Sequence, residues 1–101
     1  MVKLEISSDI ENIEPLIKSA INFEISRLEI GLNKTNREIQ KFEQKYQVSS
    51  DTFLREYTVE NLQGGDDEYI SWLGEIKINE KMMEEISQLK AIEYVTKRIS
   101  I

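Results

Sequence analysis

The residues best equipped for chemistry lie in two acidic runs, Gly64-Gly65-Asp66-Asp67-Glu68 and Met82-Met83-Glu84-Glu85. Clustered carboxylates can act as general acid and base or hold a divalent cation. The first run lacks the spaced oxygen ligands and closing glutamate of a calcium loop. Its two aspartates would also repel the phosphate that a Gly-Gly turn can cradle. Glu84 and Glu85 are adjacent, so a helix points them to different faces. Histidine and cysteine are both absent. That excludes a Ser-His-Asp triad, a Cys-His pair, imidazole or thiolate metal sites and a disulfide scaffold. The acidic runs read as helix-start and solvated charges. The chain reads as a non-enzyme, with no cofactor expected.

Aromatic residues supply the other candidate site. Phe42, Tyr46, Phe53, Tyr57, Tyr69 and Trp72 fall close together, with Leu54, Val59 and Leu62 among them. Most should form a local core. A tip built from three short pieces is small for all of them, so part of the set is expected on the surface. Trp and Tyr are favoured anchors of protein interfaces. The expected partner-binding residues are Phe53, Leu54, Tyr57, Leu62, Tyr69 and Trp72.

The elements that would position them follow from periodicity. Residues 2–7 alternate, with Val2, Leu4 and Ile6 against Lys3, Glu5 and Ser7, as in a strand with one buried face. Ser8 and Glu11 have capping-box spacing. The only proline, Pro15, suits a first helical turn. A helix therefore starts near Asp9 with a bend at Pro15, or at Pro15 itself; the latter gives a helix over 15–46. Ile21, Ile25, Leu28, Leu32, Thr35, Ile39, Phe42 and Tyr46 step by four and three, a coiled-coil seam with Thr35 its weak member. Ile13, Leu16, Ile17, Ala20, Phe23 and Ile30 add flanking apolar surface, which predicts that the N-terminal half packs on more than one neighbour. A break at Gly31 is the alternative, though the seam passes it in phase. Asn33 and Asn36 flank the seam without occupying it, so register is not visibly specified.

Ser49 is an N-cap with Asp51 in the first turn, and Val48 and Phe53 have staple spacing about it. A short helix is predicted over 50–57, a turn at Gly64-Gly65, and a second long helix over 66–93 that Asn79 and Glu80 interrupt. Its inward side should carry Tyr69, Trp72 or Leu73, Ile76, Met83, Ile86 and Leu89 or Ile92. The tail over 95–101 alternates again and reads as strand or helix extension. The fold expected is mainly α: a single antiparallel hairpin of two equal long helices, capped by the short helix and closed by paired terminal strands. A two-stranded ribbon is marginal alone, one reason to expect a homodimer.

The chain has 101 residues and a net charge of −6. That size suits one domain with a small core. The charge argues against nucleic acid, because Arg27, Lys34, Arg37, Lys41 and Lys45 are dispersed among glutamates rather than gathered in a patch. It suits a basic protein partner. No apolar run approaches the roughly 20 residues of a membrane span, and the N-terminal residues lack a signal-peptide core. A soluble cytoplasmic protein is expected.

Four segments in order, VKLEI (2–6), ISRLEIGL (25–32), KFEQKYQVSSDTFLREY (41–57) and DDEYISWLGE (66–75), resemble small helical prokaryotic antitoxin-like proteins paired with TumE-like toxins. The resemblance covers about Val2 to Leu89. It implies a protein that binds and neutralises a toxin partner in a bacterial or archaeal cytoplasm. That pattern leads one to expect glycine where Gln47 stands. A structural or chaperone-like coiled coil, similar in outline to a prefoldin subunit, is the alternative.

Overall fold

The computed structural model describes residues 2–98. The chain runs through β1 (Val2–Ser8), α1 (Ile13–Tyr46), α2 (Ser50–Glu56), a 3-10 turn (Val59–Asn61), α3 (Gly65–Lys90) and β2 (Ile92–Arg98). α1 packs against α3 as a hairpin, and the molecule measures 67 × 20 × 18 Å. The tail is a strand, starting at Ile92 rather than 95; residues 99–101 of the expected strand lie outside the described residues.

The strands pair in parallel, Val2 beside Ile92 and Leu4 beside Tyr94. β2 leaves α3 heading away from the hairpin, and β1 runs the same way. The chain must then reverse over residues 9–12 and return beneath the ribbon. This makes the arms unequal, contrary to expectation: α1 has 34 residues and α3 has 26. The excess is roughly 12 Å of helix at ~1.5 Å per residue. Lys18, in this extra length, lies 5.1 Å from the centre of the Tyr94 ring on β2, a cation–π contact. Leu4 and Ile6 are half-buried, and Lys3, Glu5 and Ser7 are exposed.

α1 begins at Ile13, so Pro15 is its third residue. The missing N–H falls among the first four that have no partner inside a helix, and no bend is needed. Ser8 is not the N-cap expected; its Oγ accepts from the Ile10 N–H at 3.0 Å, closing a local turn. Asn12 caps instead, in left-handed backbone at φ 58°. At the other end Gln47 is left-handed too, φ 55°, and its N–H donates to the Glu43 carbonyl. The chain uses glutamine where glycine would carry no steric cost. α2 is capped as its sequence requires, with the Thr52 N–H donating to Ser49 Oγ at 3.2 Å.

The seam of α1 is the face that meets α3, and it passes Gly31 unbroken. A Cβ at Gly31 would stand 2.8 Å from Met82 Cε, so the bare backbone lets Met82 approach. Met82 packs inward, whereas Met83 is 56% exposed. The expected inward position of Met83 is thereby corrected. Trp72, Asn79 and Ile86 are seven residues apart and hold the inward line, so Asn79 belongs to the seam rather than interrupting it.

Two apolar clusters result. One joins Ile25, Leu28 and Ile86; the other, at the tip, joins Phe53, Leu62, Trp72 and Ile76. Between them sits buried Thr35. Its hydroxyl donates to the Leu32 carbonyl at 3.0 Å and accepts from Asn79 Nδ2 at 2.9 Å. The same amide donates to Asn36 Oδ1 at 2.6 Å. The register that the flanking asparagines do not visibly specify is set by this cross-helix layer, because a slipped helix would leave the amide against apolar side chains.

Candidate functional site

The tip aromatics are built into a stack. Phe53 lies face to face with Trp72, centroids 3.9 Å apart at 5°, and Phe42 is stacked 5.4 Å from the same indole. Tyr69 tilts against Phe53 at 5.2 Å. The indole N–H of Trp72 donates to Ser50 Oγ at 3.0 Å, which satisfies the only polar group the ring carries. Trp72, Phe53 and Leu62 are 0%, 1% and 5% exposed. Tyr57 and Tyr69 are half-buried against them. Of the six residues expected to bind a partner, only Leu54 is largely exposed. Trp72, Phe53 and Leu62 offer no surface, because the 3-10 turn packs on α3 and closes a tip that flat stacked rings fill efficiently.

Around that core, charges act as fasteners. The Glu68 carboxylate accepts from Lys45 Nζ at 3.0 Å, Tyr46 OH at 2.6 Å and the Gly64 N–H at 2.9 Å. The Tyr46 oxygen in turn accepts from the Gln63 N–H at 2.9 Å. Hydrogen bonds from Lys45 and then Tyr46 hold the Glu68 carboxyl below its ordinary value, against a smaller opposing effect of desolvation. A carboxylate kept ionised by three donors suits a structural staple better than a general acid. Glu43 Oε2 accepts from the Ser50 N–H at 2.8 Å, which ties the end of α1 to the start of α2. Asp66 and Asp67 stand exposed in the first turn of α3, where the helix dipole favours them. Among the described residues no group of three or more acidic side chains is arranged to hold a metal ion.

The exposed apolar surface lies elsewhere. Leu16, Phe23 and Ile30 are 64%, 80% and 72% exposed. They are seven residues apart; Phe23 and Ile30 sit two positions before the seam residues Ile25 and Leu32, and Leu16 continues the same spacing. In a 3.5-residue repeat that places them on the side of α1 facing away from α3. The line spans about 21 Å. Small exposed residues, Ser19, Ala20 and Ser26, lie between its members. Beyond Ile30 the same line becomes Arg37 and Gln44, so the apolar stripe ends where the polar layer begins. The sequence pattern predicts packing of these residues on a second neighbour; among the described residues none buries them. Arg27, beside the stripe, is tied to Glu24 by an Nε–Oε2 bond of 3.0 Å, and that bond is the main reason the Glu24 carboxyl sits below its ordinary value.

A groove between the arms is lined by Leu32, Met83, Ile86 and Lys90. Among the described residues no helix is long and apolar enough to cross a membrane. Comparison with known proteins finds no matching family model, no matching curated protein and no matching solved structure.

Proposed function

We propose that this chain is a non-enzymatic protein-binding module of the antitoxin type, which engages and neutralises a toxin protein in the cytoplasm through the outer face of α1. The observation that carries the reading is the line Leu16–Phe23–Ile30, exposed at 64%, 80% and 72% on a helix whose other face is already occupied by α3. Aligned large apolar residues on a small acidic protein are what a partner covers. Phe23 at the centre, with small residues on either side, has the form of an anchor for a partner's pocket. The net charge of −6 favours a basic partner by steering.

The test is binding to a partner captured from source cells, identified, and then purified for titration against wild type and Phe23→Glu. Loss of at least tenfold in affinity (~1.4 kcal/mol) with an unchanged melting temperature supports the site. Unchanged affinity removes it. A structural or chaperone-like scaffold is the second reading, favoured by the 67 Å length of a molecule only 20 Å wide. A defined assembly larger than a dimer, with no dedicated partner, would select it.

A further inference from the structure

We infer that two copies of this chain join edge to edge along β1, antiparallel about a two-fold axis at Leu4, to make a four-stranded sheet. The inference stands apart from toxin binding, which uses a different face.

The ribbon is incomplete as it stands. Its sheet has two strands in the order β1-β2, and each has an outer edge that no other described strand covers. Parallel pairs belong to larger sheets with covered faces. A two-stranded unit is marginal in water, and an open edge is a template for another strand.

The sequence of β1 selects the occupant. Val2-Lys3-Leu4-Glu5-Ile6 is self-complementary when one copy is reversed. A two-fold axis at Leu4 sets Val2 opposite Ile6, Lys3 opposite Glu5, and Leu4 opposite its own symmetry mate. Every apolar residue meets an apolar residue and every charge its opposite, the pairing that cross-strand contacts favour. Moving the axis to Lys3 or Glu5 places like charges opposite each other. Glu5 already pairs with Lys97 of its own chain at 3.8 Å, so in the dimer it lies between two ammonium groups.

The edge of β2 is the competing surface. An axis at Val95 would set Glu93 opposite Lys97, but Tyr94 would then meet Thr96 and only Val95 would make an apolar pair. β1 supplies three apolar pairs across the same length.

Antiparallel in-plane pairing puts the axis perpendicular to the sheet, so both apolar faces point the same way.

Because the chain has no cysteine, disulfide trapping reads the register directly. At the axis, residue 4 lies within reach of its mate, since opposed Cα atoms are about 4.5–5.5 Å apart. Residue 6 is displaced along the strand from its mate by about 13 Å. The full-length chain should sediment as a dimer. Leu4→Cys should give a covalent dimer on mild oxidation, whereas Ile6→Cys and Val95→Cys should not. Lys3→Glu and Glu5→Lys should each weaken the dimer at least tenfold, and an equimolar mixture of the two should restore it. A monomeric wild type at high micromolar concentration overturns the inference. So does cross-linking at Val95 in place of Leu4, or a dimer that Phe23→Glu dissociates and the β1 charge variants do not. Failure here leaves toxin binding untouched, because that reading is judged by Phe23 and a different molecule.

Discussion

Thr35 and Asn79 meet across the hairpin, the asparagine amide donating to the threonine hydroxyl over 2.9 Å. Each residue looks like a flaw in its own helix: Thr35 stands where the α1 seam asks for an aliphatic side chain, and Asn79 where α3 does. Together they form one satisfied polar layer between two apolar clusters. Replacing Thr35 costs the Asn79 amide one of its two acceptors and leaves it Asn36 alone, whereas replacing both Thr35 and Asn79 by apolar residues of similar size removes the demand. Thr35→Val should therefore lower stability by about 0.5–1.5 kcal/mol, a drop in melting temperature of roughly 4–8 °C per kcal/mol for a domain of this size. The pair Thr35→Val with Asn79→Leu should recover that loss in the same thermal melt. A double variant less stable than the single one would show that the layer stabilises the fold beyond setting its register.

The chain's single tryptophan sits at the centre of the tip, so its fluorescence reports the tip alone. Phe53→Ala removes the ring stacked on it and should cost about 3–5 kcal/mol. Ser50→Ala removes the acceptor of a buried indole N–H and should cost about 1–3 kcal/mol. Both should red-shift the emission in denaturant titrations well before wild type. Wild-type midpoints in either variant would mean that Trp72 is not held by this stack.

Acid should act at Glu68. Its folded carboxyl lies below the ordinary value of 4.5, chiefly through Lys45 and then Tyr46. The unfolded chain therefore takes up this proton at a higher pH than the folded one. The stabilisation is complete above the ordinary value and is lost as pH falls through the folded one. Melting temperature should decline from about pH 5 downward. Glu68→Gln should melt lower at neutral pH and decline less steeply, with Glu24 contributing part of the slope that remains. Parallel curves for the two proteins would remove Glu68 from this account.

Two backbone positions invite stabilisation. Gln47 has φ 55°, a left-handed conformation that costs an ordinary residue about 1–2 kcal/mol. Gln47→Gly should raise stability by about 1 kcal/mol, although it gives up the side-chain bond to the Gln44 carbonyl. Gly74 lies inside α3, and a Cβ there would meet nothing within 4 Å. Gly74→Ala should add about 0.5–1 kcal/mol. Chemical denaturation of each variant measures both gains, and a loss at Gly74 would reveal a contact that this conformation does not contain.

Much of this architecture is legible in the amino-acid sequence, and the omissions have physical causes. The four-and-three stepping from Ile21 to Tyr46 marks the helix and its inward face. Ser49 marks the start of α2, and alternation marks β1, while at the tail it leaves strand and helix extension both open. Alternation says nothing about strand direction, so the parallel pairing and the longer α1 arm are invisible in it. The polar layer is invisible for another reason: Thr35 and Asn79 are 44 residues apart, and neither alone signals a partner. Leu16, Phe23 and Ile30 stand in the sequence among Ile13, Ile17 and Ala20 as flanking apolar residues, and nothing there singles them out as a line. An apolar residue reads the same whether its own chain or another molecule covers it, so periodicity does not say what that line packs on. The tip aromatics mislead in the opposite sense. Counted as side chains they exceed what a small tip can bury, and the tip buries Phe53, Leu62 and Trp72 fully while Tyr57 and Tyr69 stay half-buried around them.

The pairing of Val2 with Ile92 also orders events in time. Contacts at the tip close short loops, and α1 can zip onto α3 outward from there. The ribbon joins the most distant parts of the fold, so its closure carries the largest entropic cost and comes last. During synthesis β1 leaves the ribosome before any of the hairpin, and its partner strand leaves after all of it. Throughout that interval Val2-Lys3-Leu4-Glu5-Ile6 is an unpaired strand on a nascent chain. Under the proposed pairing of two β1 strands, a second nascent chain would compete for it before its own β2 arrives, a race between intramolecular zippering and local chain concentration.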